Sequence, residues 1–330
     1  MEIVFVHLNS RIPIHLYMNL RRTTTLFPEE TVTLISNRNQ KVPRGIKVAL
    51  FEKKTEWLEV ESRLKHPKNF RNNFWMTSLG RFIALAEYQS KTLGPILHIE
   101  SDVIISKDFP LKVFRDSVSQ ISFPVLSLDR GIASILFLPH VEASKALLDQ
   151  VLIASQNDAY TSDMLVLGNL FTSDNQVTPL PIGPELKSNY RNFTPEKLFM
   201  RWGQERSKFG GVFDGWDIGG FYFGTDPRNA RGRSIIQRDV PSEFADVRKW
   251  KLKFSKQRNF IGIDDGEEIT PVFSLHLTSK QLNLFRVKLP RSSVTHFLTQ
   301  RENEYSIFYK RIFLHQASLA LIRRIRFVQR

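Results

Sequence analysis

One ten-residue stretch constrains this chain more than any other, because two carboxylates interrupt an apolar run. It reads Ile-Leu-His-Ile-Glu-Ser-Asp-Val-Ile-Ile, from Ile96 to Ile105. A largely β-branched run of this length is typical of a strand that is buried on both faces, as in a parallel sheet. Side chains two positions apart on a strand share a face, so Glu100 and Asp102 should converge while Ser101 points away. Buried carboxylates are costly without a positive partner, and a divalent cation that carries substrate phosphates is the natural one.

The segments around this stretch alternate between strand and helix patterns, which predicts an α/β fold. Residues 172–211 are rich in Pro, Asn and Ser and are predicted to form a loop region over the site. In open α/β sheets the ligand lies at the carboxyl ends of the strands, where the two carboxylates are found. Strands are expected at residues 3–8, 31–36, 46–51, 121–128, 132–138 and 272–276, and helices at 14–26, within 70–92, at 141–153 and at 164–170.

Composition limits the classes of function. The 330 residues are 42% hydrophobic, enough for one large core or two modest ones. There is no cysteine, so disulfides and thiolate metal sites are excluded. A net charge of +14 favours phosphorylated substrates, nucleic acid or anionic lipid. No leader pattern and no apolar stretch near the ~20 residues of a membrane span is found, so we expect a cytoplasmic location.

A second distinctive segment, residues 213–227, combines Gly, Asp and aromatic residues. This composition suits a pocket that hydrogen-bonds hydroxyls and stacks on sugar rings, although its spacing does not match a dinucleotide fingerprint. Asp214 is assigned to the catalytic group. Alternatively, Asp214 and Asp217 are simply turn residues in a Gly-rich loop. The residues assigned to acceptor or sugar binding are Trp216, Asp217, Tyr222 and Asp226.

The last segment, Tyr305 to Arg330, is predicted to be a helix in which bulky apolar residues alternate with clustered Lys and Arg. This composition is typical of a helix that lies in a membrane interface. The alternative is a docking helix packed on the domain. We therefore expect peripheral contact with the inner face of a membrane through residues 306–330.

Three pieces of the chain together resemble a known enzyme family. The first is an N-terminal strand-helix-strand half without a glycine fingerprint. The second is Phe74-Trp75 and Arg81-Phe82 followed by the Glu-Ser-Asp stretch, and the third is a late His-x-x-x-Lys from His276 to Lys280. Over about residues 1–285 the chain resembles nucleotide-sugar glycosyltransferases of the GT-A fold, and the third piece is similar to the glycogenin-like retaining families. The first carboxylate is Glu where the family's Asp-x-Asp signature has Asp.

The resemblance implies a fold, a metal and a site. The fold would be a GT-A-like, Rossmann-type mixed sheet flanked by helices, with a C-terminal basic helix. Asp102 would ligate Mn²⁺ or Mg²⁺, Glu100 would contact it through water or hold the donor ribose, and His276 would complete the ligands. Lys280 would neutralise the leaving diphosphate. Residues 1–140 would form the nucleotide-sugar half, 141–285 the acceptor half of the same domain, and 286–330 an extension.

Further residues are assigned around this centre. Asp163 joins Asp102, Lys280 and Asp214 in the catalytic group, although it is most simply an N-terminal helix carboxylate. Arg71 and Arg81 are either solvated helix charges or donor contacts. His98 is read as a core residue or as support for the carboxylates. The residues assigned to donor binding are His7, Asn9, Arg71, Arg81, Glu100 and Lys280.

The favoured function is metal-dependent transfer of a sugar from a nucleotide-sugar donor to a glycan or lipid-linked acceptor, with retention. A sugar-phosphate nucleotidyltransferase is disfavoured because Leu8 to Pro13 does not supply the Gly-rich, basic loop of that class. A nucleic-acid-binding protein is disfavoured because the basic residues are dispersed and no recognition motif is found. No nucleic-acid partner is expected.

Overall fold

The computed structural model describes residues 1–8, 11–173, 177–184, 196–226, 242 and 244–300, with only the backbone of 196–200. Asn9 and the predicted helix from Tyr305 to Arg330 lie outside this part of the chain. None of the described helices is long and apolar enough to cross a membrane. The α/β architecture with a mixed sheet flanked by helices, predicted from the sequence, is confirmed.

Strands and helices alternate through the first half of the chain and strands dominate the second. The strands are β1 (Glu2–His7), β2 (Thr31–Ser36), β3 (Ile46–Leu50), β4 (Ile96–Ile99), β5 (Val103–Ile105), β6 (Ile121–Ser127), β7 (Arg130–Gly131), β8 (Ile135–Leu138), β9 (Val177–Leu180), β10 (Val212–Phe213), β11 (Lys251–Ser255), β12 (Phe260–Asp264) and β13 (Ile269–His276). The α-helices are α1 (Ile14–Leu26), α2 (Thr55–Arg63), α3 (Phe74–Thr92), α4 (Leu111–Ser117), α5 (Val141–Asn157), α6 (Asp163–Ser173), α7 (Glu196–Phe209) and α8 (Asp217–Phe223).

The larger sheet has the order β3-β2-β1-β4-β8-β6-β7, with β9 beside β6. The strands from β3 to β4 are parallel and β8 runs antiparallel to β4. Both faces of this sheet are covered. Val4 packs in one cluster with α3, while Ile3 and Phe5 pack in a second cluster with α1. Burial on both faces explains why β1 is a continuous apolar run rather than an alternating one.

The smaller sheet has the order β10-β13-β12-β11, with the short β5 antiparallel to the other edge of β13. The pairing of β5 with β13 corrects the prediction of one continuous strand from Ile96 to Ile105. The chain leaves the larger sheet after Ile99, turns through Glu100–Asp102, and enters the smaller sheet at Val103. The amide of Glu100 still donates to the carbonyl of Ser134, in register with the β4–β8 ladder, and the turn closes one step later through the bond from the Val103 amide to the Glu100 carbonyl.

The prediction of a loop region over residues 172–211 is wrong where the structure describes it. Val177–Leu180 pairs with β6 in parallel, and Glu196–Phe209 is helical. The Pro and Asn content of this segment drew the prediction, but Trp202 and Phe209 recur at helical spacing and are buried. The β11–β12 hairpin was not predicted. By contrast, the bounds of α1 and β2 match the prediction.

Candidate active site

The two carboxylates lie on a turn whose backbone is held at three points. The amide of Val103 donates to the Glu100 carbonyl at 3.1 Å, closing the turn. The buried Asn19 on α1 donates from its side chain to the carbonyls of Ser101 at 3.3 Å and Val103 at 2.7 Å. The amide of Leu277 donates to the Asp102 carbonyl at 2.7 Å. The turn is therefore fixed to α1 and to the end of β13 as well as to its own strands.

His276, the last residue of β13, meets both carboxylates. Its Nε2 lies 3.5 Å from Glu100 Oε2 and 3.6 Å from Asp102 Oδ1. Its Nδ1 lies 2.8 Å from the Gly215 carbonyl, which can only accept. Nδ1 must therefore carry the proton of the neutral ring, which leaves the Nε2 lone pair directed toward the carboxylates.

Glu100, Asp102 and His276, called the triad from here on, fit a divalent metal ion. One ligand atom from each residue lies within 4.8 Å of the others. Two carboxylates and an imidazole are oxygen and nitrogen ligands of the kind that bind divalent metal ions, and the hydrogen bond from His276 to Gly215 is the support that metal-bound imidazoles have. The residues present therefore fit a divalent ion.

The electrostatics of the triad also favour a cation. Burial opposes ionisation of Asp102, but the charges of Lys280 and His276 outweigh it and hold the pKa of Asp102 well below its usual range. Burial likewise opposes protonation of His276. The hydrogen bond and charge of Asp102, together with the charge of Glu100, nevertheless raise the pKa of His276 to about 9. The negative charge at this point thus attracts positive charge strongly enough to overcome desolvation.

Lys280 lies beside the triad. Its Nζ is 3.4 Å from Asp102 Oδ2 and 3.0 Å from Asp226 Oδ2. The same Asp226 oxygen is 3.7 Å from a guanidinium nitrogen of Arg71. The structure therefore brings Asp226 to Lys280, and it connects Arg71 to the site through that carboxylate.

Arg81 on α3 joins the triad to a third carboxylate. Its guanidinium contacts Glu100 through one nitrogen and Asp163 through another, and all three side chains are largely buried. Burial opposes ionisation of Glu100, yet Arg81 and His276 hold the pKa of Glu100 below its usual range. At Asp163 burial prevails over Arg81 and raises the pKa. Arg81 is thus an ion-paired residue of the site and not a solvated helix charge.

Asp214 has a different setting from the one its assignment suggested. Its carboxylate accepts hydrogen bonds from the amides of Ile218 at 3.0 Å, Gly219 at 2.8 Å and His276 at 2.9 Å. Burial raises the pKa of Asp214 to about 6, against the opposing effect of these bonds. The carboxylate links the start of α8 to the residue that completes the triad.

The aromatic and acidic residues of the 213–227 segment divide between the site and the core. Trp216 Nε1 lies 3.3 Å from the hydroxyl of Thr278, two residues from His276. Asp217 is 4% exposed and accepts from the Ser242 amide at 3.3 Å. The Tyr222 hydroxyl donates to the Trp250 carbonyl at 3.0 Å. Both of these hydrogen bonds join buried residues outside the triad.

The two histidines on strands of the larger sheet, His7 and His98, lie in different environments. His98 is 1% exposed, its Nδ1 is 3.0 Å from the Val4 carbonyl, and burial lowers its pKa to about 3. It is therefore a neutral core residue beneath the carboxylates, as the core reading predicted. His7, at the end of β1, has Nε2 3.2 Å from the Arg11 carbonyl, and burial lowers its pKa.

Sequence reasoning missed two residues that hold the site. Asn19 gave no signal except a polar residue on the apolar face of α1. Arg22, one turn later, is 2% exposed and donates to the carbonyls of Ile105, Arg286 and Val287. A polar residue on the buried face of an amphipathic helix is the signal that could have found both.

No family model and no curated protein sequence matches the chain. Among solved structures, the chain is similar to the galactosyltransferase LgtC in complex with donor and acceptor sugar analogs, at 12% identity over 61% of this chain and 82% of that one, with a TM-score of 0.39. It is also similar to mouse xyloside xylosyltransferase 1, at 8% identity over 61% and 92% with a TM-score of 0.37. The PaToxG glycosyltransferase matches at 11% identity over 63% and 77% with a TM-score of 0.36. Function is therefore inferred from the residues of the site.

Proposed function

We propose that the protein is a metal-dependent glycosyltransferase that moves a sugar from a nucleotide-sugar donor to a glycan or lipid-linked acceptor, with retention. The observation that carries this proposal is the convergence of Glu100, Asp102 and His276 on one point, with Lys280 next to Asp102. The triad is assembled from two sheets, and each of its members has backbone support. Buried carboxylates need positive partners; Arg81 and Lys280 supply part of the compensating charge, and a divalent cation held by the three ligand atoms would supply the rest.

The triad would hold Mn²⁺ or Mg²⁺. Breaking the bond between a sugar and a diphosphate leaves negative charge on the diphosphate, and a divalent ion stabilises that charge where it develops. Lys280 adds a second positive charge at the same place. Its Nζ already contacts Asp102, so a diphosphate bound at the metal would lie within reach of the ammonium group.

Arg81 and Asp163 are proposed to contact the donor beside the metal. Arg81 reaches Glu100 and Asp163 at once, so a bound sugar could exchange hydroxyl contacts for part of this ion pair. Burial raises the pKa of Asp163 against the opposing charge of Arg81, and its carboxylate oxygens would accept hydrogen bonds from the sugar hydroxyls. Asp214 is proposed to hold His276 in place. His7, the last residue of β1, and Asn9, two residues further along the sequence, are proposed to bind the nucleoside of the donor.

A lipid-linked acceptor would give the basic segment 306–330 a purpose. Each Lys or Arg near an anionic surface contributes about 1 kcal/mol, so several together would hold the protein at the membrane reversibly. We expect cosedimentation with phosphatidylserine vesicles at low salt and release at high salt. Loss of residues 306–330 should abolish this binding, and vesicle binding by the shortened chain would place the contact elsewhere.

The proposed function is tested by measuring release of nucleoside diphosphate from a panel of nucleotide sugars, with and without Mn²⁺. One donor should be cleaved only with metal, and added saccharides should accelerate the release. Asp102→Asn should be inactive, while Asp149→Asn on α5, a helix that carries none of the assigned residues, should match the wild type. Release of pyrophosphate from nucleoside triphosphate and sugar phosphate would favour a nucleotidyltransferase instead. Absence of cleavage across the panel would refute the proposal.

A further inference from the structure

A group of aromatic side chains lies at the surface just before α3. We call it the aromatic surface; its members are His66, Phe70, Phe74, Trp75 and Tyr160. Phe70 is 40% exposed, Phe74 36% and Tyr160 59%, which is high for large apolar side chains in a chain with an extensive core. Exposed aromatic groups gathered in one place mark a binding surface more often than isolated ones do.

The rings of this surface are mutually ordered. Trp75 stacks with two neighbours, with ring centroids 4.6 Å from His66 and 6.0 Å from Phe70 and interplanar angles of 16° and 17°. Phe74 meets Phe70 and Trp75 edge to face. Tyr160 meets His66 at 90°. Rings that support one another in this way keep their exposed faces fixed, so a ligand does not have to order them.

Two chains of contacts place the aromatic surface next to the proposed active site. On one side the Arg71 guanidinium lies over the Phe70 ring, 5.1 Å from its centroid, and reaches Asp226, which contacts Lys280. On the other side His66 Nε2 is 2.9 Å from the carbonyl of Thr161. Thr161 precedes by two residues the Asp163 that pairs with Arg81. The surface is therefore bounded on both sides by residues of the site.

The backbone that presents these rings is strained. Arg71, Asn72 and Asn73 have φ angles of 48°, 58° and 63°, three consecutive residues in the left-handed region. Asn tolerates this region because its short side chain can hydrogen-bond to the nearby backbone, whereas Arg adopts it less readily. The amide of Asn73 donates to the Lys68 carbonyl at 2.9 Å, which helps to hold the turn. Strained backbone of this kind is concentrated where a protein clamps a ligand.

We propose that the aromatic surface is a subsite for a pyranose ring of the acceptor glycan, an inference that rests on the proposed function. The C–H bonds on one face of a pyranose carry slight positive charge and meet the negative face of an aromatic ring. The hydroxyl groups at the ring's edge would meet the Arg71 guanidinium, which lies against the Phe70 ring at the border of the aromatic surface. Lys280 and the triad would hold the donor diphosphate, so a sugar on the aromatic surface would approach from beside the donor.

The subsite is tested with variants that remove one aromatic face while keeping an apolar side chain. Phe74→Leu and Phe70→Leu are compared with Ile153→Ala on α5, an exposed apolar residue (49%) on a helix without site residues. Transfer is measured against methyl β-galactoside, methyl α-glucoside, lactose and maltose. The Phe variants should raise the acceptor KM at least tenfold, with a much smaller change in the donor KM. Ile153→Ala should match the wild type for every acceptor.

Binding is measured separately by titrating these saccharides against intrinsic fluorescence, with Trp75→Phe to identify the responding indole. A saccharide should change the emission of the full chain and fail to do so in Trp75→Phe. If the donor is cleaved but the Phe variants keep the wild-type acceptor KM, the subsite is refuted while the proposed function stands. A rise in donor KM equal to that for the acceptor would also refute it, because the surface would then bind the nucleoside. If no nucleotide sugar is cleaved at all, the proposed function itself has failed.

Discussion

The contact between α8 and the end of β13 sets the position of His276, and Gly219 is the residue that permits it. A Cβ added at Gly219 would lie 1.7 Å from the carbonyl oxygen of His276 and 2.7 Å from its carbonyl carbon. Both are backbone atoms, so no rotamer change relieves the clash. Gly219→Ala must therefore push α8 away from β13.

The cost follows from what this movement breaks. Ordinary contact needs about 3.4 Å and the clash is at 1.7 Å, so the elements must separate by roughly 1.7 Å. Asp214 bridges them, bonded to Gly219 at 2.8 Å and to His276 at 2.9 Å, and one of these bonds must exceed hydrogen-bonding distance. Losing a bond to a buried carboxylate costs about 1.5–3 kcal/mol, overpacking adds about 1–3 kcal/mol, and replacing a helical glycine returns about 1 kcal/mol. We expect a net loss of about 1.5–5 kcal/mol.

The neighbouring glycine supplies the control. At Gly220 an added Cβ would lie 3.3 Å from the indole of Trp216, a contact that a side chain can relieve. Urea unfolding should place Gly220→Ala within about 1 kcal/mol of the wild type. Gly219→Ala should also need more Mn²⁺ for half-maximal activity, because His276 moves with β13. Equal stability and equal metal response of the two variants would refute the role of this contact.

The other predictions concern the charges of the site and its support. Asp102→Asn should abolish transfer and, measured without metal, lose about 1–2 kcal/mol of unfolding free energy because the contacts of Asp102 with Lys280 and His276 weaken; turnover near that of the wild type would contradict the assignment. His276→Ala should raise the Mn²⁺ concentration for half-maximal activity at least tenfold. Lys280→Ala should instead lower kcat by about 10²-fold at saturating metal. Indistinguishable Mn²⁺ titrations of the two variants would contradict the assignment of metal binding to His276 and of diphosphate stabilisation to Lys280. Arg22→Met should cost about 2–4 kcal/mol in thermal or urea unfolding because it leaves buried carbonyls without donors, while the exposed Arg21→Met should cost less than about 0.5 kcal/mol; equal losses would show that burial of the arginine is not the cause.

Local patterns predicted the bounds of regular elements well where the sequence itself marks both ends. The bounds of β2 and α1 follow from an apolar run ended by Ser36 and from a helical stripe ended by Phe27-Pro28. The residues of the triad were singled out from the sequence, because carboxylates that follow an apolar strand and a late His-x-x-x-Lys are visible there. Their convergence in space is a finding of the structure, since Glu100 follows a strand of the larger sheet and His276 ends a strand of the smaller one.

Patterns failed where a partner far along the chain decides the outcome. The run from Ile96 to Ile105 reads as one strand, but the edge of β13 is available to Val103 and the chain changes sheets. Asp214 was assigned to the catalytic group because of the Gly-, Asp- and aromatic-rich segment around it. Its carboxylate is bound by backbone amides up to sixty-two residues away, which the segment alone does not indicate. Arg22 donates to carbonyls more than two hundred residues later in the chain, as no local pattern could indicate.

The change of sheets between β4 and β5 has a further consequence. Glu100 follows a strand of the larger sheet, whereas His276 ends a strand of the smaller one. An ion bound to both would act as a non-covalent cross-link between two cooperative units, and its binding free energy would be added to the free energy that keeps them docked. Opening of either sheet would release the ion, so amide hydrogen exchange in β4 and β13 would slow together as metal concentration rises.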